Sequence, residues 1–398
     1  MRKKSLLLLV IMMVLGSLST INAQEKKKLI GDYLSISGWM NIQYDLEQLE
    51  KNDGTFEDVN TFNVRRARLD IKGNINPYLE FRVQGDFAGS PKLVDGFVKV
   101  KLAKYFNIQA GQFKIPFTFE NPQSPLTLEG IEYAQVISKL SGYSDISGVK
   151  TYSGGRDVGL MFYGNLFNFE RDGKEIPILT YKLGVFNGNG MNNKDANLGK
   201  DFAGSIEVCP GVKGLMLAVS YYNGNYLLDN EILLEEKTIN SFIIDDDTND
   251  TIPYEFITKE TIKYKDNSAN RDRLTFGGKY ENGRLTIRSE YIYGKTNMAN
   301  KKDGIYLLES DGFYVAAGYW FDIKCEKSGN VQRIRPVARY DFFRQDITNI
   351  NTNSTYYMVG IDWWPYKNLR LLVNYTMKDK AANDNFGHLL QAQLSVKF

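Results

Sequence analysis

The sequence predicts an all-β fold, a transmembrane antiparallel β-barrel of about 16 strands, within the range of single-chain outer-membrane barrels. Three observations predict it. Segments about ten residues long alternate apolar and polar side chains, the length a tilted membrane strand needs. The connections between them alternate between short and long. A secretory leader stands in front of them.

The leader comes first. Arg2, Lys3 and Lys4 make a positive start, Leu6 to Leu15 is unbroken apolar, and Gly16 to Ala23 is small and turn-forming. That apolar core is too short to cross a bilayer as a helix, so it reads as a secretory signal rather than an anchor. Residues 1–23 are expected to be cleaved, which leaves Gln24 at the head of a barrel domain over 24–398. No later apolar run is long enough to span, which excludes a helical inner-membrane protein.

Alternation then marks the strands. Tyr33 to Tyr44 sets Leu34, Ile36, Met40 and Ile42 against Ser35, Ser37, Asn41 and Gln43. Tyr78 to Phe87 sets Leu79, Phe81, Val83 and Phe87 against Glu80, Arg82, Gln84 and Asp86. His388 to Phe398 sets Leu390, Ala392, Leu394, Val396 and Phe398 against Gln391, Gln393, Ser395 and Lys397. The same reading gives strands at 33–44, 61–73, 78–87, 93–103, 105–114, 156–165, 178–187, 201–208, 214–223, 272–281, 284–294, 312–321, 333–343, 355–364, 368–377 and 387–398.

Connection length is an independent sign. Turns at 74–77, near Lys104, near Pro210-Gly211, at 281–283 and at 365–367 are tight, with 166–177 and 322–332 as longer exceptions. The alternate connections 45–60, 115–155, 188–200, 224–271 and 295–311 are long. Short periplasmic turns and long external loops are the barrel asymmetry. A soluble β-sandwich has no cause to alternate in this way and is usually much shorter.

Two external connections stand out. Residues 115–155 hold Pro116, Pro122 and Pro125. A loop so long in a compact fold is functional or disordered, and folding into the pore to narrow it would be functional. Residues 224–271 carry Asp245, Asp246, Asp247 and Asp250. This reads as a solvated loop; the sharper alternative, a calcium site, lacks the motif's spacing and glycine. Tyr254 to Tyr264 is expected to extend the barrel wall beyond the membrane. Phe62, Tyr78, Phe106, Phe113, Tyr291, Tyr293, Trp320, Phe321, Trp363, Trp364 and Tyr375 lie near strand ends. They are candidates for an interfacial aromatic girdle, with a carbohydrate-stacking track as the rival reading.

Composition excludes several functions. The net charge is +2, and loss of Arg2, Lys3 and Lys4 with the leader takes it to −1. Nucleic-acid binding gains no support from that balance. Cys209 and Cys325 are the only cysteines, too few for a disulfide scaffold, although one bridge is possible. The single histidine, His388, shares parity with Leu390 and faces lipid, so a serine–histidine–acid triad has no base. No phosphate loop or dinucleotide fingerprint is present, and no cofactor or metal is called for.

Parity sorts charge. The polar faces carry Arg66, Arg68, Lys72, Arg82, Lys99, Lys101, Lys182, Arg273, Lys279, Arg288, Arg335, Arg339, Arg370 and Lys397. Against them stand fewer carboxylates: Asp70, Glu80, Asp86, Asp95, Glu207, Glu290, Asp341 and Asp362. Cations lining a narrow aqueous path favour anions. Pairing across strands is the structural alternative for these charges, and Arg335 and Arg339 near Asp341 are candidates for it.

Several segments resemble the phosphate-selective porin O and P family. They are Phe62-Asn63-Val64-Arg65-Arg66-Ala67-Arg68-Leu69, Gly111-Gln112-Phe113-Lys114-Ile115-Pro116-Phe117 with Glu120 beyond, Arg156-Asp157-Val158-Gly159, Phe186-Asn187-Gly188, and Arg335-Pro336-Val337-Ala338-Arg339-Tyr340-Asp341. The resemblance implies a 16-stranded outer-membrane barrel, usually trimeric, with an inward-folded third external loop. It further implies an arginine ladder and constriction lysines that guide phosphate or polyphosphate. Arg65, Arg66 and Arg68 would be ladder or constriction residues, and Lys114 would sit near the entry to the folded loop. Arg65 has the wrong parity for the lumen, so it needs a bulge or a rim position.

The expected pore-lining set is therefore Arg65, Arg66, Arg68, Lys72, Arg82, Lys99, Lys101, Lys114, Arg335 and Arg339. The expected partners are small anionic solutes, outer-membrane lipid and two further copies of the chain. Loop 115–155 carries Lys139 and Lys150 against Glu120, Glu129, Glu132 and Asp145. That acidity keeps a general or oligosaccharide porin as the alternative. From other classes, an outer-membrane enzyme would need a working carboxylate pair at the mouth, and a surface receptor or adhesin would act through 224–271.

Overall fold

The computed structural model describes residues 33–50, 55–141, 144–148, 155–195, 197–227, 232–244, 251–262, 268–300, 304–324, 331–383 and 385–398. The leader, Lys150, the aspartates at 245–250 and Cys325 lie outside the described residues. The chain divides into Met1–Ser35 and Ile36–Phe398. Of the first unit only Tyr33, Leu34 and Ser35 are described, where the first strand opens. The second unit is the barrel.

In chain order the strands are β1 Leu34–Glu50, β2 Phe56–Asn76, β3 Leu79–Asp86, β4 Lys92–Ala103, β5 Phe106–Lys114, β6 Arg156–Arg171, β7 Lys174–Phe186, β8 Asp201–Val208 and β9 Leu215–Leu227. They continue with β10 Ile232–Ile244, β11 Thr251–Ile262, β12 Ser268–Glu281, β13 Leu285–Asn300, β14 Gly304–Tyr319, β15 Phe321–Lys324, β16 Val331–Arg344, β17 Asn353–Tyr366, β18 Leu369–Lys380 and β19 Gly387–Lys397. One short helix, α1 Gln135–Leu140, lies between β5 and β6.

Neighbours in sequence pair antiparallel around the ring. β14 and β15 both pair with β16, Gly318 opposite Val337 and Phe321 opposite Ile334, so they form one stave interrupted at Trp320. The 17-stranded sheet is thus a 16-stave barrel. Closure comes from β1 against β19, in register from Trp39 opposite Lys397 to Glu47 opposite Leu389.

All the predicted segments are staves, and several run further at the long-loop end. β13 and β14 stay paired up to Asn300 opposite Gly304. Beyond the membrane both faces of a hairpin meet water, so alternation fades while backbone pairing continues. β10 and β11 pair only with each other. Within the described residues, then, the Tyr254 to Tyr264 stretch contributes to a separate hairpin and not to the barrel wall.

Burial is inverted relative to a water-soluble barrel. Asn41, Gln43, Gln391 and Gln393 are buried, while Ile42, Leu390 and Leu394 are exposed. On β17, Ile361 is 55% exposed and Asp362 beside it 0%. An apolar outer band facing lipid and a polar interior require this parity. Phe62, Tyr78, Phe106, Tyr291, Phe321 and Tyr375 are exposed, as girdle residues must be.

Three girdle candidates are corrected. Phe113 is buried in the interior, and Trp320 and Trp364 line an internal cavity. Proximity to a turn fixes a side chain's height on the barrel but not its side. Phe113 follows plain alternation, on the face of buried Gln109 and opposite to that of exposed Phe106 and Ala110. Gly111 has φ of 128°, and a Cβ there would lie 2.2 Å from the Gly96 carbonyl oxygen. Only glycine suits that left-handed, close-packed position.

The apolar core lies inside the barrel. Phe117, Leu128, Tyr133, Ala134, Val136, Ile137 and Leu140 cluster with Phe113, Met161, Phe186, Tyr222, Ile292, Tyr314 and Phe343. The first group belongs to the connection between β5 and β6, the second to the wall. α1 packs on β13, β14 and β16. Cys209 is a free thiol.

Candidate functional site

The segment that follows β5 is tied to strands on the far side of the ring. The Thr118 amide donates to Ser220 Oγ of β9 at 3.1 Å. The Phe119 and Glu120 amides donate to the two carboxylate oxygens of Glu290 on β13, at 2.6 and 3.1 Å. The Ile131 amide donates to Asn374 of β18 at 2.8 Å, and the Gln135 amide to Asp341 of β16 at 2.9 Å. In the other direction, Arg370 donates to the Leu128 carbonyl at 2.7 Å and Arg339 to the Glu132 carbonyl at 2.7 Å. Strands this far round the ring can be reached only through the lumen. Each bond satisfies a polar group that burial would otherwise leave costly.

The acids of this segment are consumed by the wall. Glu129 pairs with Arg335 at 3.3 Å and Arg288 at 3.6 Å. Glu132 pairs with Arg65 at 2.6 Å. Asp145 is held by both nitrogens of Arg273, at 2.5 and 2.7 Å, with side-chain exposures of 1% and 2%. Burial works to raise the Asp145 carboxyl, but Arg273 outweighs it and holds it well below the ordinary value. Glu120 differs. Burial raises its carboxyl above the ordinary value, against the pull of Arg339 and Arg288.

What remains is a cavity of about 410 Å³ between this segment and the wall. Arg68, Arg82, Lys99, Lys114, Arg156 and Lys182 line it, against the carboxylates Asp95 and Glu207. Pro116, Pro122 and Pro125 form the segment's side. Arg68 donates to Asp86 at 2.9 Å and lies over the Trp39 ring at 5.1 Å. Arg82 bridges Asp70 at 2.8 Å and Asp95 at 3.1 Å. Arg156 takes the other side of Asp95 at 2.6 Å. Lys99 faces Glu80 at 3.7 Å, and Lys182 pairs with Glu207. Lys114 instead donates to the carbonyls of Asn121 and Gln123, at 2.6 and 2.8 Å. It tethers the proline turn and has no carboxylate within ion-pair distance among the described residues.

The expected residues therefore separate. Arg68, Arg82, Lys99 and Lys114 line the cavity. Arg66 is buried among Arg68, Lys114 and Glu132. Lys72 and Lys101 sit further along the same polar faces, on Asp70 at 3.4 Å and Glu80 at 2.7 Å. Arg65 faces the lumen as well. Phe62 and Val64 are exposed on the outside, yet Asn63 reaches Asp45 and Arg65 reaches Glu132. Arg66, Arg68 and Asp70 then point inward, so the parity of β2 switches between Arg65 and Arg66. Strict alternation is therefore broken between these two arginines.

Arg335 and Arg339 are corrected. Both are buried, and their guanidinium groups are committed to Glu129, Asp362, the Leu128 carbonyl and the Glu132 carbonyl. They fasten the internal segment and do not line the 410 Å³ cavity, although Arg335 borders a second cavity at the short-turn end. Arg156 is the cavity residue that alternation missed. It shares parity with Leu160, which faces outward, and turns in only because it opens β6 opposite Lys114. The sign that could have found it is Asp157 beside it, as both members of a charged pair at a strand start are poorly suited to lipid.

The sequence matches the family described as phosphate-selective porin O and P over residues 39–398. The chain belongs to that family. This porin is accordingly an outer-membrane channel and not an enzyme. No curated protein matches it. Among solved structures it is similar to an anion-selective porin from Comamonas acidovorans, with 11% identity, 92% of this chain and 99% of that one covered, and a TM-score of 0.59. It is likewise similar to OmpT of Vibrio cholerae in its trimer form, with 12% identity, 92% and 100% covered, and a TM-score of 0.55. OprB of Pseudomonas putida follows at 10% identity, 93% and 95% covered, and a TM-score of 0.54. At such identities the likeness establishes the 16-stranded barrel and nothing finer.

Proposed function

We propose that this porin is a passive diffusion channel for small anions of the phosphate class. The observation that carries the reading is the cavity beside the internal segment, where six basic side chains line the wall against Asp95 and Glu207, while Asp86, Asp70 and Glu80 pair with Arg68, Arg82 and Lys99 beyond it. Glu129, Glu132 and Asp145 of the segment do not offset that charge, because Arg65, Arg273, Arg288 and Arg335 hold them. Low-dielectric walls focus such a field and raise the local concentration of anions. Arginine suits phosphate oxygens because its planar fork donates two parallel hydrogen bonds.

Most of these cations keep a carboxylate neighbour, which makes each a moderate site rather than a trap. Conduction needs that, since a solute must also leave. The test is Lys99→Gln with Lys114→Gln, where glutamine at 114 keeps a donor for the loop carbonyls. The reversal potential in a KCl gradient is expected to move toward the non-selective value. An unchanged potential would leave the channel a general or oligosaccharide porin. We further propose that residues 1–23 are removed on export, so that the mature chain begins at Gln24, and that three copies assemble. N-terminal sequencing and the mass of the detergent-solubilised complex check these two points.

A further inference from the structure

The sequence has four tryptophans, and three of them face the inside of the barrel. Trp39 lines the cation-rich cavity. Trp320 and Trp364 line a second cavity of about 360 Å³ at the short-turn end, beneath Leu126 and Thr127 of the internal segment. An indole in a barrel wall normally serves the lipid interface. In a water-filled lumen it has no lipid to meet.

Each ring of this second cavity is paired with cations. Arg333 and Arg335 lie 4.4 and 4.5 Å from the Trp320 ring centre. Lys397 lies 4.2 Å from that of Trp364. Two carboxylates line the cavity: Asp362, engaged by Arg335 at 2.6 Å and Arg370 at 2.7 Å, and Glu281, which faces Lys279 at 3.3 Å, while Arg333 also meets Asp322 at 3.1 Å. No carboxylate among the described residues lies within ion-pair distance of Lys397. The indole N–H of Trp364 is buried with no acceptor, and a buried donor left so is costly. The volume sits at the lower end of the range of small-ligand pockets, roughly 300–1,000 Å³. It is enough for one ring and one charged group.

We infer that the short-turn end of this porin holds a second binding site, for small anions that carry a flat ring, such as aryl phosphates and aryl carboxylates. The ring lies against Trp320 and Trp364, whose surfaces border the cavity, and the anionic group meets Lys397. Both parts of the ligand are matched at once: indole faces take flat apolar groups, and a cation stacked on an indole still presents its N–H donors to an anion. The inference rests on the anion-channel reading only for the sign of the charge. The preference for a ring comes from the tryptophans alone.

The experiment compares block of single channels by phenyl phosphate and methyl phosphate, which carry the same charge, with each added to either side of the bilayer. Phenyl phosphate is expected to bind roughly tenfold tighter, the scale of one stacking contact. In Trp320→Leu/Trp364→Leu channels that advantage is expected to disappear. Should the double variant fail to insert, Lys397→Gln is read instead, with an expected loss of phenyl phosphate affinity of roughly threefold or more from the missing charged contact. Equal block by the two phosphates, an advantage that survives in the tryptophan double variant, or phenyl phosphate block unchanged in Lys397→Gln would overturn the site. Block by phenyl phosphate without block by methyl phosphate would retain the ring site and remove the phosphate-channel reading, so the two failures are distinguishable.

Discussion

Arg273 and Asp145 show how much rests on single pairs. Both side chains are buried and bidentately joined, one on β12 and the other in the internal segment. Removing one member of a buried pair strands the other at a cost of about 3–5 kcal/mol. Asp145→Asn should therefore loosen the segment, seen as noisier and larger single-channel currents and faster proteolysis within 115–155, with the barrel intact. The pH dependence has a definite sign. The folded carboxyl lies below its ordinary value of 3.8, so the pair contributes fully above that value and is lost as pH falls through the lower, folded one. Channel noise from this source should stay flat between pH 7 and 5 and rise only in stronger acid. A rise near pH 6 would point to other groups.

The neighbourhood of Arg65 and Arg66 shows what alternation can and cannot read. Two adjacent arginines face the lumen, which a strict period of two forbids. The sequence signal was the conflict itself, resolved by the change of parity in β2. Arg335 and Arg339 carry the opposite lesson. Their parity was right, but parity cannot tell a pore-lining cation from one covered by a loop, because the covering contacts lie some two hundred residues away in the chain.

Among the elements, the segment between β5 and β6 separates wall from passage. Its docking depends on wall acceptors for backbone amides, Glu290 above all, which takes the Phe119 and Glu120 amides and the Thr275 hydroxyl. Glu290→Ala leaves these donors unpaired, at about 1–3 kcal/mol for each that stays buried. A wider and less selective channel is the expected result, measured as conductance together with reversal potential. If both matched the parent, docking would have to rest on the apolar cluster instead. The length and prolines of this segment marked it in the sequence, but its route did not show, since non-local hydrogen bonds leave no periodic trace.

The hairpin of β10 and β11 makes a contrasting element. Among the described residues it pairs with no stave, and β9 meets β12 in register up to Leu227 opposite Ser268. A tight turn can therefore join the two staves directly. Excision of 230–265 should leave insertion, conductance and ion selectivity unchanged in planar bilayers. A shift in selectivity would place the hairpin over the pore mouth.

At the scale of the whole molecule, the barrel was legible because lipid and water impose one rule on every stave. Each predicted strand is present, and the extra length at the long-loop end lies where that rule no longer acts. The tryptophans were half legible: their height on the barrel followed from the turns, but their side needed the structure. The passage left by the internal segment is lined by a surplus of basic side chains although the chain as a whole is nearly neutral. The measurement that tests it most directly is the reversal potential of the refolded parent protein in a KCl gradient, followed by addition of phosphate. The account predicts a reversal potential of anion-selective sign and a reduction of chloride current by phosphate. A cation-selective or non-selective potential with no effect of phosphate would contradict it, and the inward arginines and lysines would then serve only to hold the wall and its internal segment.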